Sequence, residues 1–167
     1  MKTLLIVRHA KSSWENSGEP DFERDLNERG KKEAPEMATR LLDKKIAIDV
    51  FISSPARRAK KTCKAFCKVF KKNEDKIIFV DKLYQADSET FYDVIENIGD
   101  DYKHAAVFSH NPGITGFVNT LCKNSTLDNM PTCAVFAVSV AIKSWKDFKI
   151  AEKKFLFFDY PKAAMPK

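Results

Sequence analysis

Short apolar runs alternate along this chain with longer stretches whose apolar residues recur every three or four positions. The runs Leu4–Val7, Asp49–Ser53, Ile77–Val80 and Ala105–Phe108 are rich in Ile, Val and Phe, as are Cys133–Ile142 and Phe155–Phe158. Runs of this length and composition predict six buried strands. Between them, Ala34, Met37, Ala38, Leu41 and Leu42 follow a helical period after Asn27, a good N-cap, and Pro35 should bend or break that helix. Ala59, Cys63, Phe66 and Phe70 line a second helix; Phe91, Val94, Ile95 and Ile98 a third; Ile114, Phe117, Val118 and Leu121 a fourth. Strand and helix alternating in this way predict an α/β fold, a three-layer sandwich with a mainly parallel sheet flanked by helices. The length of 167 residues suits one domain, 1–167, with a substantial core. There is no internal repeat or linker, and the polar segment from Ser12 to Leu26 is a long loop of the kind that usually serves function.

Composition changes this picture little. A hydrophobic fraction of 44% with 31% charged residues is that of a soluble globular protein. No apolar run is long enough to span a bilayer, and Arg8 closes the first run too early for a signal peptide, so the expected setting is cytoplasmic, without a membrane anchor. Cys63, Cys67, Cys122 and Cys133 have neither C-x-x-C nor zinc-like spacing, which predicts buried free thiols and no metal. The net charge of +6 is concentrated between Arg57 and Lys72, where eight basic residues occur without an acidic one. The same stretch carries a clean apolar stripe, so these lysines read as the solvated face of a helix and not as a nucleic-acid patch.

Candidate chemistry sits where strands end. Open α/β sheets bind ligands outside the carboxyl ends of their strands. The first strand runs into Arg8-His9. The second is followed by "SSPARRAKKT", with Ser54 as N-cap, Pro55 as first helical residue and Arg58 in the first turn. The fourth is followed by "SHNPGI", with Asn111 as cap after His110 and Pro112 opening the helix. Helix N-termini and arginine both favour phosphate oxygens, so these parts describe a phosphate site containing an imidazole. The third histidine, His104, precedes a strand among charged residues and reads as a surface group.

The segments "RHAKSSW", "DLNERGKKEA", "SSPARRAKKT" and "SHNPGI", in this order, resemble the motifs of the histidine phosphatase superfamily, which includes the phosphoglycerate mutases. The "RHAKSSW" variant, the short chain and "HNPG" are most similar to the SixA-type phosphohistidine phosphatases. This resemblance implies a phosphoglycerate mutase-like fold and a phosphatase without cofactor. It makes His9 the nucleophile, phosphorylated in passing, with Arg8 and Arg58 clamping the phosphoryl group and His110 touching it in the transition state. Arg24 and the Asn111 backbone N–H match further phosphate-binding groups.

Two departures bear on substrate. Ala10 replaces the usual glycine after R-H, which is tolerable if its φ is negative. Where related enzymes carry a general acid, "LYQAD" places Gln85, and Asn111 follows the second histidine where another branch has aspartate; Asp87 or Glu89 would have to move in to supply a proton. An alkyl phosphate needs its leaving oxygen protonated, whereas phosphohistidine expels an imidazole with a pKa near 6.5. Only 24 residues, Asp81 to His104, separate two strands, too few for a large lid over the site. The expected substrate is therefore phosphohistidine on a protein, such as a histidine phosphotransfer domain. A broad phosphomonoesterase for small phosphorylated metabolites, or a phospho-ligand-binding protein without catalysis, are the alternatives.

Overall fold

A computed structural model of the protein describes residues 1–14, 18–123 and 126–162. Six strands form one sheet: β1 (Lys2–Arg8), β2 (Val50–Ser53), β3 (Ile78–Phe79), β4 (His104–Ser109), β5 (Val135–Val140) and β6 (Lys153–Asp159). Their order is β3-β2-β4-β1-β5-β6. Strands β3, β2, β4 and β1 are mutually parallel, while β5 runs antiparallel to both β1 and β6. The helices are α1 (Glu28–Asp43), α2 (Arg57–Val69), α3 (Ser88–Glu96) and α4 (Gly113–Leu121).

The two-residue period of a strand divides the core. Leu5 and Val7 of β1 face one way, with Phe51, Phe108 and Val135, against Met37 and Leu41 of α1 and Phe66 of α2. Leu4 and Ile6 face the other way, with Ile52, Val107 and Phe136, against Phe91 of α3, Phe117 of α4 and Trp145. Helices on both faces of a mainly parallel sheet are the three layers that the alternating pattern predicted. Among the described residues, no helix is long and apolar enough to cross a membrane.

The structure adjusts several local expectations. Helix α1 is capped by Asn27, whose Oδ1 accepts the Gly30 N–H at 2.8 Å, and it continues through Pro35 instead of breaking there. The predicted β3 shrinks to two residues at the sheet edge, with Ile78 and Phe79 exposed, because among the described residues no further strand lies beyond it. Strand β6 forms the other edge, and its Phe155 and Leu156 are likewise exposed. Helices α2 and α4 each begin later than the sequence suggested. Ala56 precedes α2 and Pro112 precedes α4, neither with a side-chain cap bond, so Ser54 and Asn111 are not N-caps and Pro55 and Pro112 are not first helical residues. The side chains of Ser54 and Asn111 are engaged elsewhere, as the site makes clear. All four cysteines are free, with Cys63 and Cys67 on the buried stripe of α2.

Candidate active site

Register alone brings the two histidines together. Strands β1 and β4 pair in parallel with Arg8 opposite Ser109, and the ladder runs one step further through the His9 N–H to the Ser109 carbonyl at 3.2 Å. His9 and His110 therefore leave the sheet side by side, with ring centroids 5.1 Å apart. On the other side of β4, Ser53 of β2 lies opposite Phe108, and the Ser54 N–H donates to the Phe108 carbonyl. That step places the Ser54 hydroxyl 2.7 Å from His110 Nε2. The same hydroxyl accepts the Ala56 N–H at 3.2 Å, so it ties His110 to the start of α2.

The loop after β1 is held on all sides. The Ala10 N–H donates to Thr62 Oγ1, and that hydroxyl donates back to the Arg58 carbonyl inside α2. The His9 carbonyl accepts the N–H of Cys133, a buried residue at φ 61°, in the left-handed region that non-glycine residues seldom adopt. Ala10 is not among the residues with positive φ, so its methyl is accommodated as expected. Gly30 and Gly113 have a different reason to be glycine. A Cβ on Gly30 would collide with the Lys11 carbonyl oxygen, and one on Gly113 with that of Ala86.

His9 carries its proton on a known side. Nδ1 lies 2.7 Å from the Ala10 carbonyl, which can only accept, so Nδ1 bears the hydrogen and Nε2 holds the lone pair. Burial, followed by the neighbouring His110 and the guanidinium charges of Arg58 and Arg8, lowers the His9 pKa well below 6.5 despite that bond. His110 is lowered to about 3, first by burial and then by Arg58, and its buried Nδ1 has no partner among the described residues. Both rings are neutral near pH 7.

Three guanidinium groups surround them. Arg58, only 5% exposed, donates from Nε to His9 Nε2 at 3.4 Å, from Nη1 to the Asp21 carbonyl at 2.7 Å and from Nη2 to Asp21 Oδ2 at 3.0 Å. Arg8 donates from Nη1 to the Met130 carbonyl, while its buried Nε has no acceptor among the described residues. Arg24 donates to Ser12 Oγ at 2.9 Å and to Asp21 Oδ1 at 3.1 Å, and the Trp14 ring lies 3.5 Å from its guanidinium carbon. A buried donor beside clustered cations favours an anion at this place. These groups open on a cavity of about 700 Å³ that Arg8, His9, Arg24, Arg58, His110 and Asn111 all line. The Asn111 side chain is used locally, accepting from Thr115 and donating to Asn129 and to the Met130 carbonyl.

All six residues singled out in the sequence thus meet at one cavity. Two others did not stand out. Asp21 binds both Arg24 and Arg58 and accepts the Tyr84 hydroxyl at 2.6 Å; the Tyr84 and Arg58 hydrogen bonds bring its pKa down to about 2 against partial burial. Tyr84 stands edge-on to His110 with centroids 5.7 Å apart. The only signal for Asp21 was its place in the long polar loop, three residues before Arg24. Gln85 lines the cavity and is exposed; Asp87 lines it too, but its Oδ1 caps α3 by accepting from the Thr90 N–H and hydroxyl. Among the described residues, no cluster of side chains has the make-up of a metal site.

Comparison with known proteins fits this geometry. Residues 4–87, half of the chain, match the family model of the histidine phosphatase superfamily, branch 1. An uncharacterized protein of Mycobacterium leprae, ML1117, is 27% identical over 168 residues, covering 93% of this chain and all of that protein. A crystal structure assigned to a phosphohistidine phosphatase SixA of Agrobacterium tumefaciens superposes with a TM-score of 0.80 at 25% identity, covering 96% of this chain and 98% of that one. The protein histidine phosphatase SixA in complex with tungstate gives 0.80 at 20% identity over 95% and 97% of the two chains. A mycobacterial glucosyl-3-phosphoglycerate phosphatase shares the fold at 0.67 and 12% identity, over 96% of this chain and all of that one.

Proposed function

The chain belongs to the histidine phosphatase superfamily, and from that membership we propose that it is a phosphohistidine phosphatase acting on a phosphorylated protein through a phospho-His9 intermediate. One observation carries the substrate reading: among the described residues, no carboxyl group lining the cavity is held in its protonated form. Asp21 is kept ionised by Tyr84 and Arg58, and Asp87 is an anionic helix cap whose pKa is lowered by the Thr90 bonds. Gln85 occupies the rim where a general acid was sought, and it has no proton to give. The neighbours support the same reading through their SixA-type members, whereas the glucosyl-3-phosphoglycerate phosphatase is why small phosphate esters belong in the test.

The chemistry follows from the atoms present. His9 Nε2, with its lone pair, attacks phosphorus, and Nδ1–H on the Ala10 carbonyl stabilises the positive charge the ring acquires. Arg8 Nε and the second hydrogens of Arg58 Nη1 and Nη2 meet the phosphoryl oxygens, with Arg24 and the Asn111 N–H beside them. Phosphoryl oxygens near His110 raise its proton affinity, so it can donate a hydrogen bond in the transition state. Water then hydrolyses phospho-His9. The test is kcat/KM for a phosphohistidine peptide, aryl phosphates of graded leaving-group pKa and glycerol phosphate. Phosphohistidine and the most acidic phenols should be fastest and glycerol phosphate slowest. A flat series, with alkyl esters as fast as the rest, would show a general acid at work and defeat the substrate reading.

A further inference from the structure

Transfer from phosphohistidine to His9 moves a phosphoryl group between two imidazoles, so both rings need their far nitrogen provided for. On the receiving side the Ala10 carbonyl holds the His9 Nδ1–H at 2.7 Å. On the departing side, the ring leaves as neutral imidazole only if its far nitrogen keeps a proton throughout. That N–H carries positive charge into a site that already contains Arg8, Arg24 and Arg58, so it needs an anionic acceptor. Asp21 and Asp87 are the two carboxylates that line the cavity among the described residues, and Asp87 Oδ1 is committed to the start of α3.

Asp21 has the capacity. Its Oδ2 accepts from both Arg58 and Tyr84, but among the described residues Oδ1 accepts only from Arg24 Nε, which leaves a lone pair open. Its side chain is 49% exposed, whereas His9 and His110 at the floor are 5% and 6% exposed. Arg58 joins Asp21 to His9, and Tyr84, which stands edge-on to His110, joins it to the second ring, so Asp21 is the exposed carboxylate tied to both histidines. We propose that Asp21 is the leaving-group residue, whose open Oδ1 lone pair accepts the N–H of the departing imidazolium and so selects phosphohistidine over phosphate esters.

The inference rests on the phosphohistidine reading above. In the step, the His9 Nε2 lone pair forms the new N–P bond, and the substrate P–N bond breaks with its electron pair returning to the leaving ring. The proton on the far nitrogen stays where it was, hydrogen-bonded to Asp21, until the neutral imidazole departs. No other proton moves. An ester oxygen brings no such hydrogen, and its growing negative charge is repelled by the same carboxylate.

The experiment compares Asp21→Asn with wild type on a phosphohistidine peptide and on 4-nitrophenyl phosphate. Loss of a charge-assisted hydrogen bond should lower kcat/KM for phosphohistidine by about 10- to 100-fold. Aryl phosphate turnover shares only the loosened hold on Arg24 and Arg58 and should fall by much less. The pH profile adds a second readout. A carboxylate favours the charged imidazolium and raises its pKa, so its removal should bring the alkaline limb of kcat for phosphohistidine down by about one pH unit or more. Asp21→Glu, which keeps the anion, should recover part of the lost selectivity. Equal losses on both substrates with an unmoved limb would mean that Asp21 only positions Arg24 and Arg58, and would overturn the inference alone. Wild-type protein that cleaves aryl phosphates but not phosphohistidine would overturn the substrate reading and this inference with it.

Discussion

Replacing Arg58 tests the phosphate clamp most directly. Its guanidinium is 5% exposed and spends one hydrogen of each nitrogen on His9 Nε2, the Asp21 carbonyl and Asp21 Oδ2. Nη1 and Nη2 each keep a second hydrogen, which the planar guanidinium can offer to phosphoryl oxygens. In Arg58→Lys the charge survives but the fork does not, and a single ammonium cannot satisfy both Asp21 and the phosphoryl group. Removing one pre-aimed donor from a developing anion costs about 2.7–4 kcal/mol, roughly a hundred- to a thousandfold in kcat. Arg58→Lys should fall at the lower end of that range and Arg58→Ala at or beyond the upper. Lys64 lies on the outer side of α2, in a separate cleft of about 270 Å³ with Arg57, Lys60 and Lys61, so Lys64→Ala should stay within about twofold of wild type. Steady-state rates on an aryl phosphate, with rapid-quench measurement of the phosphoenzyme, supply the numbers. Equal losses at Arg58 and Lys64, or an unimpaired Arg58→Lys, would refute the clamp and leave only a diffuse positive field.

His9→Ala should abolish turnover and the acid-labile, base-stable label that rapid quenching of wild type should reveal; label and activity persisting in the variant would remove His9 as nucleophile. Folding should weaken in mild acid. His110 titrates at about 3 when folded and near 6.5 when unfolded, so the unfolded chain binds more protons between those values, and stability present above pH 6.5 is lost as pH falls toward 3. His9 adds to this in the same direction. Denaturant midpoints from pH 7 to 4 should show the fall, and His110→Gln should flatten it. Gly113→Ala forces a methyl onto the Ala86 carbonyl and should cost about 1–3 kcal/mol, read as a drop of several degrees in Tm. Trp14→Ala removes the stack on Arg24, worth about 0.5–1 kcal/mol at an exposed site, and should raise KM a fewfold with little change in kcat.

Much of this protein follows from the order of its residues. The alternation of β-branched runs with helical stripes sets the layered architecture, because each stripe has to bury its apolar face against the sheet. Arg8, His9, Arg58 and His110 were legible because their types are costly to bury and they fall at strand ends. Arg24 and Asn111 needed the resemblance between motifs. The edges were less legible. Ile78, Phe79, Phe155 and Leu156 have the composition of buried strands, yet burial depends on whether a neighbour covers them, and among the described residues no further strand lies beyond β3 or β6. The helix starts were misplaced at Ser54 and Asn111 for a related reason: a hydroxyl or amide joins whichever partner the fold brings near. Ser54 finds His110 through the β2–β4 register, 56 positions along the chain. Asp21 carried no pattern of its own. It becomes part of the site because the loop from Ser12 to Leu26 closes at both ends, through the Ser12–Leu26 bridge, and turns one carboxylate toward two arginines and a tyrosine 63 residues away. Local sequence determines periodicity and chemical type; proximity between distant side chains, and the charge state that proximity imposes, is decided only when the strands pair.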